Sequence, residues 1–213
     1  MRYSEMKARE NEHDWRRARA LTDGNATGET AALRWLTITG IGVLALILFG
    51  CSSPQYRDTD IQMTTHGPVD LSSYAGRWFE VARFPNTFEE GCVGVTADYA
   101  LAEDGTVSVL NTCRQGTLNG PVSTAEGVAT VASADQDRLR VNFVPWLPFA
   151  AGDYWILYTD YQISVVGTPS GNFGWILARA PTLTGDDLER ALAVLRRNGY
   201  DTSALEYPAP LPG

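Results

Sequence analysis

Apolar and polar residues alternate in short runs through the middle of the chain, the period-two pattern of strands with one buried face. Eight such runs, rich in β-branched and aromatic residues, cover about 77–84, 93–101, 106–113, 122–132, 138–144, 153–159, 161–167 and 173–179. Turn signals separate them. Glu103-Asp104-Gly105-Thr106 reads as a hairpin connection, because glycine accepts the positive φ of a tight turn. Thr168-Pro169-Ser170-Gly171-Asn172 is a second turn. Pro145-Trp146-Leu147-Pro148-Phe149 reads as an apolar loop, since its prolines cannot donate ladder hydrogen bonds.

After the eighth run the period changes from 2 to 3.6. Leu188, Ala191, Leu192 and Leu195 share one helical face, with Thr184 as N-cap, Asp186 and Asp187 in the first turn, Arg196-Arg197 in the last, and Gly199 as the stop. The predicted fold class is therefore all-β. Eight antiparallel strands joined in order close into an up-and-down barrel, with the C-terminal helix packed outside. A barrel of that size can hold one small ligand. A sandwich is the competing architecture, and it would ordinarily show longer Greek-key connections.

A different hydrophobic pattern precedes the strands. Trp35 to Phe49 is an uncharged apolar run of 15 residues. At about 1.5 Å per residue it is short for a bilayer core of roughly 30 Å, and it fits the h-region of a signal peptide. Leu48-Phe49-Gly50-Cys51 resembles the bacterial lipobox, with Phe49 where a small residue is usual. That resemblance implies cleavage before Cys51 and acyl chains, palmitate among them, on that cysteine as a stable membrane anchor. By the same rule Ser52 directs the protein to the outer membrane, with the barrel facing the periplasm. The competing reading is a plain membrane helix over about 31–51. The expected organisation is a leader at 1–50, lipidated Cys51 with a flexible tether over 51–68, barrel and helix over 69–207, and a tail at 208–213.

Composition narrows the function. With 44% hydrophobic and 20% charged residues the chain is ordinary globular material. Its net charge is −8, and residues 1–50 carry seven Lys/Arg against six Asp/Glu, which leaves −9 for residues 51–213. Such a body repels phosphate backbones, so nucleic acid is not an expected partner. Both histidines, His13 and His66, lie outside the segment expected to form the barrel. A Ser-His-Asp relay, a His-ligated haem and a typical zinc site are then unavailable there. No cofactor or metal is expected, nor an enzyme. Chemistry based on Glu80 or Tyr154 is the enzymatic alternative.

Three blocks in order carry a family resemblance: Gly76-x-Trp78 in the first run, Thr159-Asp160-Tyr161 after the sixth, and Arg179 closing the eighth resemble the signatures of the lipocalins. Trp78-Phe79-Glu80-Val81-Ala82-Arg83-Phe84-Pro85 and Gly174-Trp175-Ile176-Leu177-Ala178-Arg179-Ala180-Pro181-Thr182 look like the bacterial outer-membrane lipoprotein group, related to apolipoprotein D. The similarity covers about 68–207. That group usually has a longer turn where this chain has Asp160-Tyr161. The resemblance implies that Trp78 plugs the closed end, that Arg179 stacks across its indole, and that a lipophilic ligand lies above them. A guanidinium on an indole is worth about 0.5–2 kcal/mol.

Taking Trp78 as inward, strand alternation places Ala82 and Phe84 on its face, with Phe79 and Val81 outside. Glu80 then points in, low and near Trp78. The family pattern sets the phase of the later strands and puts Val95, Ala97, Tyr99, Val109, Asn111, Val141, Phe143, Tyr154, Ile156, Tyr158, Phe173 and Trp175 in the lining. Phe84, Phe88, Trp146 and Phe149 would cluster near the mouth. The alternative is that these side chains meet and fill the barrel. Cys92 and Cys113 flank the second and third runs, and an exported protein meets oxidising conditions that favour their disulfide. The pair is out of register with a turn centred on Asp104-Gly105, so bonding needs a longer loop or a bulge; two free thiols are the alternative.

The function these features imply is an anchored carrier that stores or transports a fatty acid or lysophospholipid in the bacterial envelope. Two other classes stand beside it: a histidine-free enzyme of the same fold, and a filled barrel offering its Trp146 loop to a partner.

Overall fold

The computed structural model describes residues 54–144 and 146–212. The eight runs form β1 (Gly76–Arg83), β2 (Cys92–Leu101), β3 (Val107–Gln115), β4 (Val122–Val131), β5 (Arg138–Asn142), β6 (Gly152–Thr159), β7 (Ile163–Gly167) and β8 (Gly174–Ala178). Each pairs antiparallel with the next, and β1 also pairs with β8, so the barrel closes as expected. Closure leaves no free sheet edge. The leader and Cys51 lie outside the described residues.

The connections alternate between two ends. Loops 102–106, 132–137 and 160–162 share one end with a helical turn, α1 (Leu71–Tyr74). Asp70 caps α1 by accepting from Ser72 N at 2.9 Å and from the Ser72 and Ser73 hydroxyls. This is the closed end. Loops 84–91, 116–121, 143–151 and 168–173 ring the other end.

The apolar residues sort into two main clusters, one inside the barrel and one outside. Inside are Trp78, Val107, Val109, Leu139, Ile156, Val166 and Leu177, with Leu71 and Tyr74 of α1. Outside, the predicted helix forms as α2 (Gly185–Arg197), with Thr184 Oγ1 accepting from Asp187 N at 3.3 Å. Its Ala191, Val194 and Leu195 bury against Leu157, Ile163, Val165 and Ile176.

Two β-bulges correct the predicted lining. The register of β1 against β8 shifts between Glu80 and Ala82, so Ala82 and Phe84 join the outer cluster instead of sharing the face of Trp78. A bulge adds one residue to one strand and reverses the phase beyond it. Phe84 stacks between Tyr56 and Tyr200, over the bare backbone of Gly174. A second shift, between Ile156 and Tyr158 of β6, keeps Ile156 inside and turns Tyr158 out among the α2 contacts.

Residues 54–68 differ as well from the expected flexible tether, because they dock on the barrel. The Arg57 side chain is buried and donates to the carbonyls of Asn198, Pro169 and Ile61. His66 belongs to this packed segment. Its backbone N–H donates to Ile156 O at 2.9 Å, and its ring meets Tyr158 edge-on.

Candidate functional site

The floor of the barrel is built around Trp78, which has no exposed surface. Its Nε1 donates to Tyr74 O at 2.8 Å, and the Arg179 guanidinium lies 3.9 Å from the ring centroid. Arg179 also donates to the carbonyls of Ser73, Tyr74, Ala75 and Arg77, so one side chain satisfies the end of α1 and its link to β1. Gly76 has φ +96, and a Cβ there would sit 3.3 Å from Arg179 Nη1. Its conformation and the close guanidinium both call for glycine.

Above the floor, three tyrosines join their hydroxyls. Tyr99 and Tyr154 lie 3.1 Å apart, Tyr154 and Tyr74 3.0 Å, and Tyr74 and Ser164 2.7 Å. Burial pushes the Tyr74 phenol up to about 12 and raises Tyr99 and Tyr154 as well, so all three stay neutral near pH 7. The space they share with Leu71, Val107, Leu139 and Val141 holds about one water molecule. The lower barrel is therefore nearly filled.

Higher up, a charged cluster faces inward. Glu80 Oε1 accepts from Arg83 Nη1 at 2.9 Å, with side-chain exposures of 3% and 7%. Arg83 also donates to Cys92 O and lies 3.4 Å from Glu206 Oε2. Glu89 reaches in from the β1–β2 loop, where its Oε2 accepts from Trp175 Nε1 at 3.2 Å and from Asn86 Nδ2. Burial and the nearby Glu89 carboxylate raise the Glu80 carboxyl well above its ordinary range, against the opposing pull of Arg83.

The upper wall and mouth are more open. Asn111 pairs with Ala97 across β2 and β3, and its Oδ1 is buried without a hydrogen-bond partner. Val95 packs with Cys92 and Cys113, which form a disulfide with Cα atoms 5.4 Å apart. The bulge that lets them meet falls between Cys92 and Gly94. Phe88, Phe173 and Trp175 form an aromatic row, with centroids 5.2 and 6.0 Å apart, leading from the rim into the barrel. Phe143 lies against Gly127, where a Cβ would approach its ring to 2.8 Å, and it is partly exposed at the rim.

Of the predicted lining, Tyr99, Val109, Val141, Tyr154, Ile156 and Trp175 belong to the interior cluster, and Val95, Ala97 and Asn111 continue their strands' inner face. Phe88 and Phe173 pair at the rim, and Phe143 lies at the rim against Gly127. Ala82, Phe84 and Tyr158 do not belong. Sequence reasoning missed Tyr74, Ser164, Arg83 and Glu89. The one available signal was Asp70-Leu71-Ser72-Ser73, an N-cap pattern that brings Tyr74 over the floor. Among the described residues no group of three His, Cys, Asp or Glu is placed to hold a metal ion.

A family model described as a lipocalin-like domain matches residues 69–210. Temperature-induced lipocalin-1 of Arabidopsis thaliana is 36% identical over 146 residues, covering 64% of this chain and 77% of its own. Outer membrane lipoprotein Blc of Escherichia coli K12 is 33% identical over 174 residues, covering 80% of this chain and 94% of its own. Among solved structures, insecticyanin from the tobacco hornworm Manduca sexta superposes with a TM-score of 0.56 at 22% identity, over 73% of this chain and 86% of that one. Lobster apocrustacyanin A1 also gives 0.56, at 17% identity, over 66% and 79%. At these identities the structural likeness speaks for the fold alone.

Proposed function

Because the chain belongs to the lipocalin family, we propose that it is a non-catalytic carrier holding the acyl chain of an amphiphile in the upper barrel. The ligand class is a fatty acid or lysophospholipid. The observation that carries this reading is Asn111, a buried acceptor without a partner on the inner face of β3, in a barrel whose mouth carries an aromatic row. Leaving such a group unpaired costs about 1–3 kcal/mol, which a ligand hydroxyl recovers by donating to it. That need favours a lysophospholipid, whose free glycerol hydroxyl is a donor, over a fatty-acid anion, which has none. Each methylene removed from water adds about 0.8 kcal/mol. The lipobox-like Leu48-Phe49-Gly50-Cys51, and the similarity to an outer membrane lipoprotein, support acylation of Cys51 and attachment to the outer membrane with the barrel in the periplasm.

Native mass spectrometry of the purified protein, with extraction of co-purifying lipid, identifies the occupant. Calorimetric titration of the delipidated protein then measures it. One lysophospholipid per chain is expected, and Asn111→Leu should weaken it more than a fatty acid of equal length. No binding of any acyl compound would sink the proposal. The nearly filled lower barrel favours a second reading, an interaction protein with a solid core. That reading gains if titration is silent while the folded state is intact.

A further inference from the structure

We infer that the open end of the barrel docks on the lipid bilayer that anchors the chain, so that the mouth faces lipid. The inference rests on the anchored reading above. Its own support comes from three independent features of the folded body.

The first is where the described chain begins. Gln55 Nε2 donates to Ser170 O at 3.3 Å, Tyr56 N donates to Gly171 O at 2.8 Å, and the Tyr56 hydroxyl donates to Pro85 O at 2.8 Å. Ser170, Gly171 and Pro85 all belong to loops at the open end. Cys51 precedes Pro54 by three residues, so a fully extended link reaches no more than about 11 Å. A flexible tether over 51–68 would have left the orientation free. Docking of 54–68 removes that freedom.

The second feature is the chemistry of the two ends. Loops 116–121, 143–151 and 168–173 at the mouth contain no charged residue, and 84–91 contains only Glu89, turned inward to Trp175, and Glu90. The closed-end loops carry exposed Glu103, Asp104 and Asp135, together with Asp160 facing Arg190 and a buried, hydrogen-bonded Asp137. In a body of net charge −9, anionic headgroups repel the closed end and leave the mouth as the approachable face.

The third is exposed aromatic surface at that same end. Trp146 and Phe149 are each 81% exposed, and Phe88 63%. Large apolar side chains left in water around an opening mark an interaction surface. Tryptophan in particular prefers the membrane–water interface, where its ring is buried and its N–H stays wet. With this geometry a lipid passes between bilayer and barrel without crossing water.

The test uses the full chain in vesicles of phosphatidylethanolamine and phosphatidylglycerol, with bromine on acyl carbons near the headgroup as a contact quencher. Subtracting the emission of Trp146→Phe isolates Trp146 from the other tryptophans. The expected result is at least twofold quenching of the Trp146 component, and none for a tryptophan added at the closed end by Glu103→Trp. Both substitutions are at exposed positions and should leave the fold intact. An unquenched Trp146, or a quenched Glu103→Trp, overturns the inference. Protection of Trp146 from acrylamide without bromine quenching means that protein, such as a second copy, covers the rim, and overturns it too. Intact mass of the purified chain judges the acyl anchor separately. If Cys51 carries no acyl mass, the acyl reading fails while the quenching result stands.

Discussion

Phe84 separates the two possible faces of β1 by experiment. It has no exposed surface and lies between Tyr56, at 4.9 Å and 19°, and Tyr200, at 5.1 Å and 22°. Phe84→Ala empties that slot. A buried Phe→Ala change costs about 3–5 kcal/mol, with each stacked pair supplying roughly 0.5–1.5 of it. For a body of this size a kcal/mol moves the unfolding midpoint by about 2–4 °C, so the predicted fall is about 6–20 °C. Because Phe84 packs outside the barrel, affinity for a fluorescent acyl probe, measured well below the variant's midpoint, should be unchanged. Limited proteolysis should cut the variant faster within 54–68, since Tyr56 loses its stacking partner. A variant with an unaltered midpoint and lost affinity would place Phe84 in the ligand site and refute the reasoning.

Three further outcomes follow from the interior. Arg179→Met removes the cation–π contact and the donations to five carbonyls, Tyr161 O included, and urea unfolding should show a loss of roughly 2–4 kcal/mol. Arg179→Lys should recover little, because an ammonium lacks the planar fork; full recovery would contradict the clasp. Glu80 holds its proton more tightly in the folded chain than in the unfolded one. Its contribution to stability is therefore complete below the ordinary carboxyl value of 4.5, and it declines as pH rises from there towards the folded value. Urea midpoints at stepped pH should show that decline, made shallower by Glu89→Gln; a rise over the same window would refute it. Reduction of Cys92–Cys113, which closes a sequence separation of 21, should cost about 3 kcal/mol on the chain-entropy account. Equal midpoints with and without dithiothreitol would refute that.

Much of the barrel was legible in the sequence because period and turn chemistry are local. The eight runs, the Asp104-Gly105 hairpin and the amphipathic face of α2 each come from residues near one another in the chain. The Trp78–Arg179 clasp and the disulfide were also within reach, through family blocks for one and export chemistry for the other. The wrong parts of the lining share one cause. A bulge at Glu80–Ala82 or Ile156–Tyr158 leaves no mark on apolar alternation, since Val81-Ala82 and Leu157-Tyr158 read as ordinary strand residues.

What the sequence by itself determined is the container: strand number, order, closure, outer helix and the pair that seals the floor. The first four follow from periodicity, which local sterics and burial enforce, and the floor pair from the family resemblance. Tertiary structure alone decided which face each residue took beyond a bulge. It also decided that Glu80, Arg83 and Glu89 meet inside, and that polar residues 54–68 pack instead of trailing. The physical reason is that such choices depend on partners far along the chain. Arg57 is buried because the Asn198 and Pro169 carbonyls await its guanidinium, and Phe84 turns outward because Gly174 leaves room for its ring.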